Sequence, residues 1–229
     1  MSLKEGLHIH NLTDFNISDI HNYDFVVLGG VFCSLTRIDN NINSYLDICE
    51  KIKTDYEKVK IYFQQPFYTK ENIDLFTNTI IKAGKTALID GVLVNSPGIV
   101  RYFNDDIEIV ISRFAVGKRK RTNQYFYDFL ADYNVIGMEC FAADTELIAD
   151  VKQYRNLPVW VREGRRQFPP KCFMKNNSAP CTNEQNECTA CVYQRNKQNV
   201  KPAVAEQDIS MSYFEGCDSI IHNVSGFEI

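Results

Sequence analysis

The chain has 229 residues, 45% of them hydrophobic and 24% charged, the composition of an ordinary globular protein with room for one large domain or two small ones. A net charge of -4 and a pI of about 5.6 give no general attraction to nucleic acid. No apolar run reaches transmembrane length, and Met1-Ser2-Leu3-Lys4-Glu5-Gly6 lacks the apolar core of a signal peptide, so we expect a single domain over 1–229, no membrane partner and a cytoplasmic setting in which thiols stay reduced.

Leu7-His8-Ile9-His10 alternates as a first or edge strand, and a short helical stretch is expected over 17–21. His8 and His10 share one face, a spacing that suits a metal, but no third ligand lies near them in sequence. Phe25-Val26-Val27-Leu28 is a continuous apolar run ending at Gly29-Gly30, the pattern of a strand buried on both faces that leaves through a tight loop. That loop carries Cys33, just past a strand's carboxyl end, where parallel α/β folds place ligands; a small buried hydrophobe is the plainer reading of this cysteine taken alone. Cys49 lies with Ile42, Tyr45, Leu46, Ile52 and Tyr56 on the apolar face of a helix and reads as core.

A strand over 59–63 follows, then a helix carrying Ile73, Phe76, Ile80 and Ile81 with Gly84 as its stop. Further strands are expected over 87–94, 107–111, 135–138, 157–161 and 219–222, with a short helix started by Ser96-Pro97, one capped by Thr122 and one opened by Asp144. This alternation implies a parallel sheet with crossover helices. A tally near eight strands favours an α/β, TIM-barrel-like (β/α) barrel over an open sheet, with a short or incomplete barrel left open. On that architecture the loops after Leu28, Phe63, Val94, Ile111, Met138 and Val161 open on one rim, so Cys33 and the 172–191 stretch are expected to converge there.

The 164–200 segment is the cysteine-rich loop. Its Asn176, Asn177, Ser178, Pro180, Asn183 and Asn186 cannot bury enough apolar surface to order it, so thiolate ligation is the natural tie. Cys188-Thr189-Ala190-Cys191 sets two sulfurs at metal-ligand spacing, which suits zinc and iron-sulfur clusters alike. A redox dithiol would sit at a helix start in a βαβ unit, and a disulfide framework fits poorly with a chain this long that shows no secretory signal. Gly117-Lys118-Arg119-Lys120-Arg121 is the one basic block; it meets phosphate, an acidic partner or RNA, or is a solvated helix start. Arg162, Arg165 and Arg166 lie after a strand end and make the better anion-binding set for a small-molecule or RNA substrate, with ion pairing to Glu163 and its neighbours as the alternative.

Four segments, Phe25-Val26-Val27-Leu28-Gly29-Gly30-Val31-Phe32-Cys33-Ser34, Asp90-Gly91-Val92-Leu93-Val94-Asn95, Arg165-Arg166-Gln167-Phe168-Pro169-Pro170-Lys171-Cys172-Phe173 and Asn186-Glu187-Cys188-Thr189-Ala190-Cys191, together resemble the collagenase-like peptidase family U-thirty-two, nearest its UbiV-like (ubiquinone-biosynthesis, iron-sulfur) branch. The resemblance implies a TIM-barrel-like fold and a [4Fe-4S] cluster on Cys33, Cys172, Cys188 and Cys191, with Cys181 an extra thiol and a substitute ligand, and no matching role for Cys140 or Cys217. It also implies a heterodimer with a second family member, and oxygen-independent hydroxylation of an aromatic or nucleobase substrate by this enzyme or subunit. A zinc-stabilised binding module is the alternative. The peptidase activity in the family's name finds little support, because histidines at 8, 10, 21 and 222 assemble no nucleophile, base and orienting group.

Overall fold

The computed structural model describes residues 3–9, 16–29, 38–65, 73–103, 107–116, 122–141, 144–154, 156–162 and 217–223, of which 38–42, 73, 75, 114 and 223 are described as backbone alone. Eight strands, β1 (Lys4–Ile9), β2 (Phe25–Leu28), β3 (Lys60–Gln64), β4 (Gly91–Val94), β5 (Glu108–Ile111), β6 (Val135–Phe141), β7 (Val159–Arg162) and β8 (Ser219–Asn223), form a ring in chain order. Every neighbouring pair is parallel. The barrel left open as short or incomplete is closed, since β8 pairs with both β7 and β1. Around it run α1 (Ile38–Asp55), α2 (Ile73–Lys85), α3 (Gln124–Leu130) and α4 (Thr145–Tyr154), with 3-10 turns at Ile17–Asn22, Pro97–Tyr102 and Arg113–Val116. None of the described helices is long and apolar enough to cross a membrane.

Strand alternation sorts the apolar side chains into two bodies. Ile9, Val26, Ile61, Val92, Ile109 and Val159 pack outward against helix residues such as Cys49, Ile52, Phe76 and Leu147. Phe25, Val27, Tyr62, Leu93, Val110, Trp160 and Ile221 form a separate cluster that fills the barrel. Three aromatic rings plug its amino end. Phe25 and Trp160 have centroids 4.5 Å apart, and Tyr62 meets Trp160 edge-on at 5.1 Å, geometries that add about 0.5–1.5 kcal/mol per pair to area burial. Each ring faces a glycine: a Cβ on Gly6 would overlap the Phe25 ring, one on Gly91 would lie 2.7 Å from Tyr62, and one on Gly137 would lie 2.6 Å from Trp160. The Tyr62 hydroxyl donates to Glu108 at 2.5 Å, and Lys60 pairs with the other Glu108 oxygen, also at 2.5 Å.

Strands are clasped in pairs at the amino rim. Asp24, Asp90 and Asp218 stand just before β2, β4 and β8, and each accepts from a backbone N–H on the preceding strand: Glu5 and Ile61 at 2.8 Å, and Val159 at 2.8 Å. Before β6 the residue is Asn134, whose amide donates to the Ile107 carbonyl at 3.3 Å. Two local expectations change. Gly84 lies inside α2, where its missing side chain admits Ile107; the helix ends at Lys85 and the chain reverses through Ala87 at φ 56°. The cap of α3 is Asn123, which accepts from Phe126 N, while Thr122 donates its hydroxyl to Tyr127.

Candidate functional site at the carboxyl rim

In an eight-stranded barrel the stagger of about one residue per strand groups inward side chains from alternate strands into layers of four. Following the pairing register around this ring, the odd strands place Gly6, Tyr62, Val110 and Trp160 in one layer and His8, Gln64, Ser112 and Arg162 in the layer nearest the carboxyl rim. Between them the even strands contribute Val27, Leu93, Glu139 and Ile221. The rim layer is polar throughout, and all four of its side chains are fully buried.

This polarity is sustained by a chain of charge-assisted bonds. Arg162 Nε donates to Glu139 Oε1, and its Nη1 donates to His8 Nδ1. The second Glu139 oxygen accepts from Ser112 Oγ at 2.6 Å and from the backbone N–H of Arg113 at 3.0 Å. His8 Nε2 donates to the Gly29 carbonyl at 2.7 Å. A carbonyl only accepts and a guanidinium only donates, so the neutral imidazole with its proton on Nε2 satisfies both partners. Outside this layer Arg113 forks onto Asp144, with Nε to Oδ2 at 2.5 Å and Nη2 to Oδ1 at 3.2 Å, and the same carboxylate accepts from Phe141 N. Both buried arginines therefore carry their own counter-charge, as burial demands.

On the facing wall, Gln64 Nε2 is surrounded by three acceptors: Asn95 Oδ1 at 2.9 Å, the Gln65 carbonyl at 3.3 Å and the Leu93 carbonyl at 3.5 Å. Asn95 is itself held by Gln65, which accepts from its backbone N–H at 2.7 Å and from its side-chain amide. A flipped Gln64 would turn an oxygen toward three oxygens, so the amide orientation is fixed. Its Oε1 is buried with no hydrogen-bond partner among the described residues, a position that costs about 1–3 kcal/mol when unmet.

Arg162, expected in an anion site with Arg165 and Arg166, points into the barrel and pairs with Glu139; Glu163, its expected counter-ion, lies outside the described residues. Arg165, Arg166, His10, the 117–121 basic block and the expected ligands Cys33, Cys172, Cys181, Cys188 and Cys191 lie outside the described residues. Among those described, no group of three His, Cys, Asp or Glu side chains is gathered as for a metal. Cys49 and Cys140 are free thiols in the layer between barrel and helices; burial pushes Cys49 up to about 12 and raises Cys140 further. Sequence reasoning missed Glu139 and Ser112. The signal was there: Glu139 interrupts the apolar run Met138-Glu139-Cys140-Phe141, as His8 interrupts Leu7-His8-Ile9.

Closed ring, helical surround and polar rim layer define a (β/α) barrel whose carboxyl end is the candidate site. No protein-family model matches the chain, and no curated protein matches it. Among solved structures, the U32 peptidase Mk0906 superposes with a TM-score of 0.58 at 12% identity, covering 100% of this chain and 95% of its own, so the fold is U32-peptidase-like. YKL-39 solved with chitooligosaccharides reaches a TM-score of 0.39 at 13% identity, over 69% of this chain and 50% of its own. N-acetylneuraminate lyase from Mycoplasma synoviae reaches 0.36 at 9% identity, over 96% and 68%.

Proposed function

We propose that the chain is an iron-sulfur protein in which Cys33, Cys172, Cys188 and Cys191 hold a [4Fe-4S] cluster at the carboxyl rim. On this reading it is an oxygen-independent hydroxylation enzyme, or the cluster-bearing subunit of one paired with a second family member, acting on an aromatic or nucleobase substrate. The observation that carries the reading is the His8 joint. One imidazole is bonded to the Gly29 carbonyl and to the side chain of Arg162, the points where the chain leaves β2 toward Cys33 and β7 toward Cys172. Cys33 follows Gly29 by four residues, a reach of at most about 14 Å.

The donor chemistry agrees. Cys49 and Cys140 are kept protonated by burial, and Cys217, just before β8 at the amino rim, is raised by partial burial and by Asp218, so these three make poor ligands and the thiols at 33, 172, 181, 188 and 191 remain as the set. When bound, such a cluster supplies one-electron transfer. The chain's own residues do the rest: Arg162 and Glu139 cancel each other's charge beneath the rim, His8 fixes the Gly29 carbonyl, and the packed interior excludes water from below. A zinc-stabilised loop is the rival reading. Both ring nitrogens of His8 are engaged, which removes it as the general base a peptidase needs.

Iron, acid-labile sulfide and zinc measured on protein purified without oxygen test the reading. Near-stoichiometric iron and sulfide are expected, lost in Cys33→Ala and Cys188→Ala and kept in Cys49→Ala. Zinc retained by Cys33→Ala overturns the four-cysteine site and leaves a structural loop.

A further inference from the structure

We propose that the barrel mouth binds a small, uncharged, planar ligand through one hydrogen-bond donor, a ring N–H or a phenolic O–H, given to Gln64 Oε1. The proposal rests on the reading above for its substrate class and adds the residue that selects within it.

Three observations converge on this oxygen. The acceptors around Gln64 Nε2 fix the amide and turn Oε1 away from Asn95, Gln65 and Leu93. The oxygen is buried and lacks a hydrogen-bond partner among the described residues, whereas buried acceptors in native proteins are met as a rule. It belongs to the layer nearest the carboxyl rim, the end at which barrels of this kind take ligands. An acceptor awaiting a donor selects for a ligand that has one; an analogue without it leaves the oxygen desolvated and unmet, the strongest form of polar discrimination. The same layer argues for a neutral ligand. Arg162 is matched by Glu139 and Arg113 by Asp144, so an entering ion would lose its hydration without a counter-charge reserved for it here.

The test compares parent and methylated probes on the intact protein purified without oxygen: uracil against 1,3-dimethyluracil, and phenol against anisole, by titration calorimetry. One parent is expected to bind about tenfold tighter than its methylated counterpart, the size of one neutral hydrogen bond. In Gln64→Met, which keeps the side chain's length and removes the oxygen, that preference is expected to vanish. Preference in the uracil pair identifies a nucleobase-like ligand, and preference in the phenol pair a phenolic one. Equal binding of parent and methylated probes, binding of neither pair, or a preference that survives in Gln64→Met overturns the proposal. Should Gln64→Met fail to fold, Gln64→Leu takes its place, with the same loss of preference expected and a surviving preference again overturning the proposal. Iron content of the same samples reads the cluster separately, so either proposal can fail while the other stands.

Discussion

Glu139 accepts from a guanidinium, a hydroxyl and a backbone N–H while fully buried, which makes it the hinge of the polar layer. Glu139→Gln leaves Arg162 charged and uncompensated inside the barrel, and we expect a loss of about 3–5 kcal/mol in urea denaturation, only part of it recovered in the double variant Glu139→Met/Arg162→Met, which removes both charges but also the acceptor of Ser112 and of Arg113 N. A loss below about 1 kcal/mol would show that the pair does not depend on burial. A second expectation concerns alkaline pH. Burial holds the Cys49 thiol up at about 12 and raises the Tyr62 hydroxyl, which also donates to Glu108, beyond its ordinary range. From about pH 9 to about 12 the unfolded chain therefore releases protons that the folded chain keeps. Stability is full below this window and falls as pH rises through it. Unfolding free energies at pH 7.5 and 10.5 should show the fall, with a shallower slope in Cys49→Ala.

At the scale of elements, apolar alternation located all eight strands to within a few residues, because a strand buried on both faces writes itself as a continuous apolar run. The amino-rim clasps were not legible, since an Asp before a strand is also an ordinary turn residue and only pairing shows which N–H it accepts. Asp90→Ala removes the acceptor of Ile61 N and the counter-ion of Lys53, and should cost about 1–3 kcal/mol in thermal or chemical denaturation. Glycine-aromatic fitting gives a sharper contrast. Gly6→Ala drives a methyl group into the Phe25 ring and should cost at least about 1–3 kcal/mol, whereas Gly98→Ala, with no neighbour within 4 Å, should stay close to the parent. The layer that joins His8, Gln64, Ser112 and Arg162 escaped the sequence for a related reason. It depends on register, which includes the shift between Ile109 and Val110 against β6.

Across the whole molecule, the sequence told the class of fold, while the polar layer and the partners of Arg162 and His8 emerge only when strands far apart in sequence become neighbours. The clasps also set an order of assembly. Three of them join residues 19, 29 and 27 apart, and the fourth, Asp218 to Val159, joins residues 59 apart. During synthesis the first three strand pairs of the ring can lock as they leave the ribosome, but β1, the ring's first strand, keeps an open edge until β8, the ring's last, arrives beside it. The wait exposes unpaired backbone at both ends of a seven-strand sheet, where another copy can pair wrongly. A metal held by the connection between β7 and β8 would shorten the loop that the last clasp must close. Hydrogen exchange should then be fastest, among the strands, at the seam of β7, β8 and β1, and slow there selectively when the metal is bound, so that loading the site and sealing the ring become one event.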